Sequence, residues 1–245
     1  MPLLQASGIS VQFGGLQALS DVDLDVEAGS ITGLIGPNGA GKTTMFNVIC
    51  GLQPTTTGRV TYDDKDVTAL KTHERARHGI ARTFQRLEVF GSLSARENIL
   101  VGAEIRARWS SEKVETEAVT EAILDRVDLR RVADHRVDTM PTGLARLVEL
   151  GRALAAAPKL LLLDEPSSGL SEEETVFFAA LLRSLTAEGL GILLVEHDVE
   201  LVMDVCARIH VLDFGRKIAA GTPKEIQQDK AVQAAYLGAG ADDAA

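Results

Sequence analysis

Cysteine, net basic charge and long apolar runs are all in short supply in this 245-residue chain. Cysteine occurs twice, at Cys50 and Cys206, each inside an apolar helical pattern. Both are read as buried free thiols rather than as parts of a disulfide framework. Lys and Arg number 25 against 35 Asp and Glu, a net charge of −10. That balance argues against a general nucleic-acid binder, which would show a basic face, and against an electrostatic anchor to an anionic membrane. Any membrane association then has to run through a protein partner. The run "LLLL" at 160–163 is far too short to cross a bilayer. No charged segment followed by an apolar stretch opens the chain, so no signal peptide is read, and a cytosolic chain is expected. What remains is 45% hydrophobic and 24% charged. This is the composition of a soluble globular protein with a sizeable core, long enough for one large domain or a two-lobed one.

The first part of the chain reads as strands. "LLQASGISVQF" is followed by "DVDLDVE", where Val22, Leu24 and Val26 alternate with acids. "SITGLIG" is a short apolar run that ends in a Gly-rich loop, and "TTMFNVICG" follows as a helix stopped by Gly51 and then Pro54. "GRVTYDDKDV" reads as a hairpin strand with its turn. From about Ser94 to Ala157 the pattern is mostly helical, with period-3.6 stripes in "ARENILVGAEIRAR" and "ETEAVTEAILDRVDL". After Pro158, strand and helix alternate again: "KLLLLD", a helix over about 172–188, "GILLVE", "DVELVMDVCA" and "RIHVLDF". The tail, 239–245, reads as disordered. Alternation on either side of a helical stretch predicts an α/β core with an inserted helical subdomain, and the apolar strands predict a mostly parallel, buried sheet.

"GPNGAGKTT", residues 36–44, fits G-x-x-x-x-G-K-[ST] and stands between a predicted strand and a predicted helix, which is the context a P-loop requires. Gly36, Gly39 and Gly41 let the backbone curl, with Pro37, Asn38 and Ala40 between them, so that several N–H groups point at one anion. Lys42 supplies positive charge for the β- and γ-phosphates. Thr43 can place its hydroxyl on Mg²⁺, and Thr44 completes the first turn of a helix whose positive dipole end faces the phosphates. In "KLLLLDEP", Asp164 ends an apolar strand, where its carboxylate can reach Mg²⁺ through water. Glu165 follows and is placed to activate the water that attacks the γ-phosphate.

Taken together, "GPNGAGKTT", "RTFQ", "LLLLDEPSSGLS" and "VEHD" resemble, in order and over nearly the whole chain, the ATP-binding subunit of an ABC transporter. The resemblance implies one ABC ATPase domain over 1–238. It would have an α/β P-loop NTPase (RecA-like) core, about 1–84 and 159–238, an N-terminal antiparallel β-subdomain and an inserted helical subdomain, about 85–158. It implies ATP and Mg²⁺ as ligands and ATP hydrolysis as the reaction. It makes Gln85 a Mg²⁺ ligand and sensor of the membrane partner, and His197 a contact to the γ-phosphate that orients Glu165. Phe13 would stack on adenine, and "SSGLS" would be a loop crossing a dimer.

It implies integral-membrane permease subunits docking at about Gln85–Ile99, a second ATPase subunit (the same chain or another) and, indirectly, a substrate-binding protein. The expected place is the cytoplasmic face of the cell membrane. "RTFQRLEVFGSLSARENILVGA", the stretch from "VEHDVEL" to "GTPKEI" and "AVQAAYLG" are similar to the branched-chain amino acid importer group, although 106–114 is shorter than is usual there. The alternatives are a non-transport or a lipid-export ABC ATPase.

"MPTGL", 140–144, stands where that family carries L-S-G-G-Q, the signature that meets the nucleotide of the opposite subunit. Only Gly143 keeps its identity. Pro141 suits a helix entry, and Thr142 is expected as the N-cap with a hydroxyl one position later than usual. Thr142 and Gly143 are therefore the signature candidates. The motif is either a working variant or one degenerate half-site opposite a competent partner.

Overall fold

The computed structural model describes residues 2–242. Strands β1 (Leu4–Phe13) and β2 (Leu16–Val26) pair antiparallel, and β4 (Thr57–Tyr62) and β5 (Lys65–Asp66) extend them into a sheet ordered β2-β1-β4-β5. Val22, Leu24 and Val26 all face inward, as their alternation requires. The β4–β5 turn is Asp63-Asp64, both at positive φ (48° and 60°), the backbone twist a two-residue hairpin needs.

The second sheet has six strands. Its order is β10 (Arg216–Gly221), β9 (Arg208–Asp213), β3 (Ile31–Ile35), β8 (Gly191–Val195), β7 (Leu160–Asp164) and β6 (Ile80–Arg82). Every neighbouring pair is parallel except β9–β10. Strands β3, β7 and β8 are buried along their whole length, because both faces are covered. Leu160, Leu162, Leu193 and Val195 pack on one face with the antiparallel sheet and with Met45, Phe46 and Ile49 of α1 (Lys42–Cys50). Leu161, Leu163, Ile192 and Leu194 point the other way, into the core shared with the helical subdomain. That subdomain is built from α3 (Ala95–Trp109), α4 (Thr116–Arg126) and α5 (Thr142–Ala155).

The remaining helices are α2 (Thr72–Arg77), α6 (Glu172–Ala187), α7 (Val199–Val205), α8 (Pro223–Gln228) and α9 (Lys230–Asp242). Gly51 ends α1 in the left-handed region (φ 73°), its N–H returning to the last turn. Ser94, Ser171 and Thr222 open α3, α6 and α8 with reciprocal capping boxes to Glu97, Glu174 and Glu225. Both cysteines are free and buried, which pushes Cys50 up to about 11 and Cys206 up to about 12. No helix among the described residues is long and apolar enough to cross a membrane.

Two expectations need correction. The tail from 239 is helical through Asp242, because the Ala-rich stretch behind Asp229 propagates a helix once started; residues 243–245 lie outside the described residues. Thr142 is not the N-cap of α5. Pro141 holds that position at φ −54°, ψ 149°, without a side-chain cap, and Thr142 is the first helical residue. Proline at the cap position fixes the entry one residue earlier than the hydroxyl suggested.

Candidate functional site

The order β7-β8-β3 puts three loops side by side at the carboxyl ends of parallel strands, where open α/β sheets bind ligands. The P-loop leaves β3, the Asp164–Glu165 pair ends β7, and Glu196–His197 follows β8. Gly36 and Gly41 have conformations and surroundings that allow only glycine. A Cβ on Gly36 (φ 151°) would sit 2.1 Å from the Leu212 carbonyl oxygen. One on Gly41 (φ 104°) would sit 2.7 Å from the Leu19 side chain and 2.8 Å from the Ala18 oxygen. Asn38 and Gly39 are exposed, Pro37 is half-buried and Ala40 is buried. Lys42 is buried, and its Nζ donates to the carbonyls of Gly36 (2.6 Å) and Pro37 (3.0 Å). Burial pushes its pKa down, against Glu165 and Asp164, which pull it up. Thr43 projects to solvent and Thr44 is half-buried at the opening of α1.

Glu165 is the centre of a cluster. Its φ is 50°, a left-handed backbone uncommon for a non-glycine residue, and its N–H donates to the Val195 carbonyl at 2.8 Å. Gln85 Nε2 donates to both carboxylate oxygens at 3.0 Å, and His197 Nε2 lies 2.6 Å from Oε1. Residues 80 and 32 positions away thus converge on one carboxylate. Glu196, buried beside it, accepts from the backbone N–H of Ser167 (2.7 Å) and of His197 (3.1 Å). It fastens the start of "SSGLS" to the His197 loop, a role the sequence did not signal.

Asp164 has a partner that sequence reasoning missed. Arg82 Nη2 donates to Asp164 Oδ2 at 2.8 Å, with both side chains almost fully buried. The donor set around the loop suits a hard cation: the Thr43 hydroxyl, the Asp164 carboxylate and the Gln85 amide oxygen are all oxygen ligands. No group of three or more His, Cys, Asp or Glu among the described residues could hold a metal.

Phe13 ends β1 beside the hairpin turn, 48% exposed, so it is not a core residue. The same hairpin carries Ala18 and Leu19, which press on Gly41. The signature candidates lie apart from this cluster. Thr142 is exposed, and the space above buried Gly143 is filled by the Glu174 carboxylate, whose Oε1 is 2.7 Å from where a Cβ would be.

The segment after Gln85 is held to α5. Arg146 donates to the carbonyls of Phe84 (2.9 Å) and Gln85 (2.6 Å). Glu149, buried on α5, accepts from the N–H groups of Phe84 (3.4 Å) and Glu88 (3.2 Å), and burial raises its pKa. Asn98, fully buried, clips the backbone of Phe90 at both its N–H (2.9 Å) and its carbonyl (3.0 Å). The Phe90 ring is 48% exposed with Arg152 stacked 5.1 Å from its centroid. Val89 packs against the helical core, and Leu93 is half-buried.

Comparison with known proteins converges on one family. A family model described as ABC transporter matches residues 19–168, and one described as branched-chain amino acid ATP-binding cassette transporter matches residues 216–242. The chain is 37% identical to the high-affinity branched-chain amino acid transport ATP-binding protein BraF of Pseudomonas aeruginosa, over 97% of this chain and 98% of that one. It is also 37% identical to the lipopolysaccharide export system ATP-binding protein LptB of Escherichia coli, with the same two coverages. A nucleotide-free ATP-binding cassette from an ABC transporter superposes with a TM-score of 0.86 at 30% identity, covering 96% of this chain and 99% of that one. The ADP conformation of the cassette MJ1267 gives 0.85 at 31% identity, covering 97% and 99%.

Proposed function

The chain belongs to the ABC transporter ATP-binding family, and on that premise we propose that it powers a membrane importer of branched-chain or other hydrophobic amino acids. In this reading Lys42 and the loop 36–44 hold the phosphates of ATP. Mg²⁺, held by Thr43, Asp164 and Gln85, would neutralise phosphate charge when bound. Glu165 takes the proton of the attacking water while Gln85 and His197 fix the direction of its carboxylate. His197 would contact the γ-phosphate while it orients Glu165. Phe13 stacks on the adenine, and Thr142 and Gly143 meet the nucleotide of a second ATPase subunit.

The permease surface extends the 85–99 segment toward the sheet edge. An apolar hollow of about 230 Å³ lies there, lined by Cys50, Leu52, Phe84, Trp109, Ala156 and Pro158. Leu52 is 50% exposed and Phe84 38%, so two large apolar side chains of the hollow reach solvent. A helix of an integral-membrane permease at the cytoplasmic face of the membrane suits it, with a substrate-binding protein as a further, indirect partner.

The observation that carries the importer reading is the branched-chain family match over β10, α8 and α9. The test is genetic and biochemical together. The gene is deleted, uptake of radiolabelled leucine, isoleucine and valine is measured, and the membrane proteins that co-purify with the tagged chain are identified. Loss of uptake with recovery of a permease pair supports the reading. Unchanged uptake of all three, or recovery of lipid-export components, overturns it.

A further inference from the structure

Arg82 sits where three parts of the molecule meet. It closes β6, the edge strand beside β7, in the register that pairs it with Leu162, two residues before Asp164. Its side chain is only 7% exposed. Nη2 donates to Asp164 Oδ2 at 2.8 Å and Nη1 to Asn47 Oδ1 of α1 at 2.6 Å, while Nε, buried, has no hydrogen-bond partner among the described residues. The guanidinium lies over Phe46 of α1 (5.3 Å) and Phe84 (4.9 Å). Phe84 is the residue before Gln85 and, with Arg82 and Trp109, lines the apolar hollow.

We propose that Arg82 is a positioning residue that aims the Asp164 carboxylate at the nucleotide cleft and ties its position to the apolar hollow through Phe84. A buried guanidinium with a fixed fork loses little freedom on bonding, so a pair of bonds to Asn47 and Asp164 sets the carboxylate's rotation. One oxygen, Oδ2, is committed to Arg82, and the other has no hydrogen bond among the described residues, which leaves it for a ligand. Asn47 is on the helix that the P-loop opens, so the same fork references Asp164 to the phosphate loop. An apolar side chain at 82 would fill the volume equally well; the buried charge is what the packing alone does not require. Anything that displaces Phe84 in the hollow displaces the plane stacked on it, and with it Asp164.

The inference rests on Asp164 serving a Mg²⁺ ion, and the experiment separates the two claims. Four variants are compared with the wild type: Arg82→Met, Arg82→Lys, Asn47→Ala and Asp164→Asn. Three quantities are read: the melting temperature, the Mg²⁺ dependence of ATPase activity at fixed ATP, and the emission of Trp109, the single tryptophan, on adding Mg²⁺ with a non-hydrolysable ATP analogue.

The expected result is a Mg²⁺ requirement raised at least fivefold in Arg82→Met and about twofold in Asn47→Ala, with Arg82→Lys between Arg82→Met and the wild type. Binding of the analogue in EDTA should be unchanged. The Mg²⁺-dependent change in Trp109 emission should be lost in Arg82→Met and smaller in Asn47→Ala. If Arg82→Met fails to fold, Arg82→Lys and Asn47→Ala carry the same comparison. A lowered melting temperature with wild-type Mg²⁺ dependence and a wild-type Trp109 response makes Arg82 a packing residue and overturns the proposal. An unchanged Mg²⁺ requirement in Asp164→Asn overturns the underlying role of Asp164, and the proposal with it.

Discussion

Lys42 is buried with its ammonium on two carbonyls of its own loop, and its charge is the only buried cation reaching into the phosphate loop itself among the described residues. Lys42→Ala should weaken binding of a fluorescent ATP analogue at least tenfold, about 1.4 kcal/mol, and bring turnover to background; wild-type affinity with normal turnover refutes the loop's role. His210 on β9 offers a different test. It is buried, neither ring nitrogen has a hydrogen bond among the described residues, and Asp25 Oδ1 is 3.6 Å from Nε2. Burial pushes its pKa down to about 4, aided by Arg208 and Lys217 and opposed by Asp25. The folded value lies below the unfolded one near 6.5, so the contribution to stability is full above pH 6.5 and is lost as pH falls toward 4. Between pH 7.5 and pH 5 the linkage amounts to about 2 kcal/mol. Urea unfolding should show the wild type losing about that much more than His210→Leu over this interval. Equal losses in the two proteins contradict it.

At the scale of elements, Phe90 and α5 carry the predictions. Asn98 fixes the Phe90 backbone and leaves the ring half in solvent, so Phe90→Asp should barely change the melting temperature. It should release the subunit from membranes while basal ATPase persists; continued co-purification with the permease counts against the docking surface. Thr142 does not cap α5, so Thr142→Ala should change stability by less than about 0.5 kcal/mol. A several-fold fall in turnover at unchanged ATP affinity marks "MPTGL" as a working signature, and no fall favours the degenerate half-site. Gly143→Asp is a poorer probe, because its carboxylate would meet Glu174 of the same chain. These elements also show what the sequence carries. The P-loop helix, its stop at Gly51 and the Val22-Leu24-Val26 face are local patterns and are legible. Strand β6 is three residues long, and α8 is a single capped turn or two, too short for any period to declare them. The pair Arg82–Asp164 spans 82 residues, and only the parallel pairing of β6 with β7 brings it together.

For the whole molecule, one arrangement is central: Gln85 and His197 joined around the single carboxylate of Glu165 beside the P-loop. The motifs named these residues, but the sheet order β7-β8-β3 is what makes them neighbours, and no local pattern encodes that order. Glu165→Gln probes the arrangement most directly. An amide cannot take the proton from water, yet it leaves the phosphate loop intact. The measurement is ATPase rate together with mass by light scattering, in ATP and Mg²⁺, for wild type and Glu165→Gln. The account predicts turnover reduced at least a hundredfold, retained ATP affinity and a stable nucleotide-bound dimer. A Glu165→Gln protein that hydrolyses ATP at the wild-type rate would contradict it.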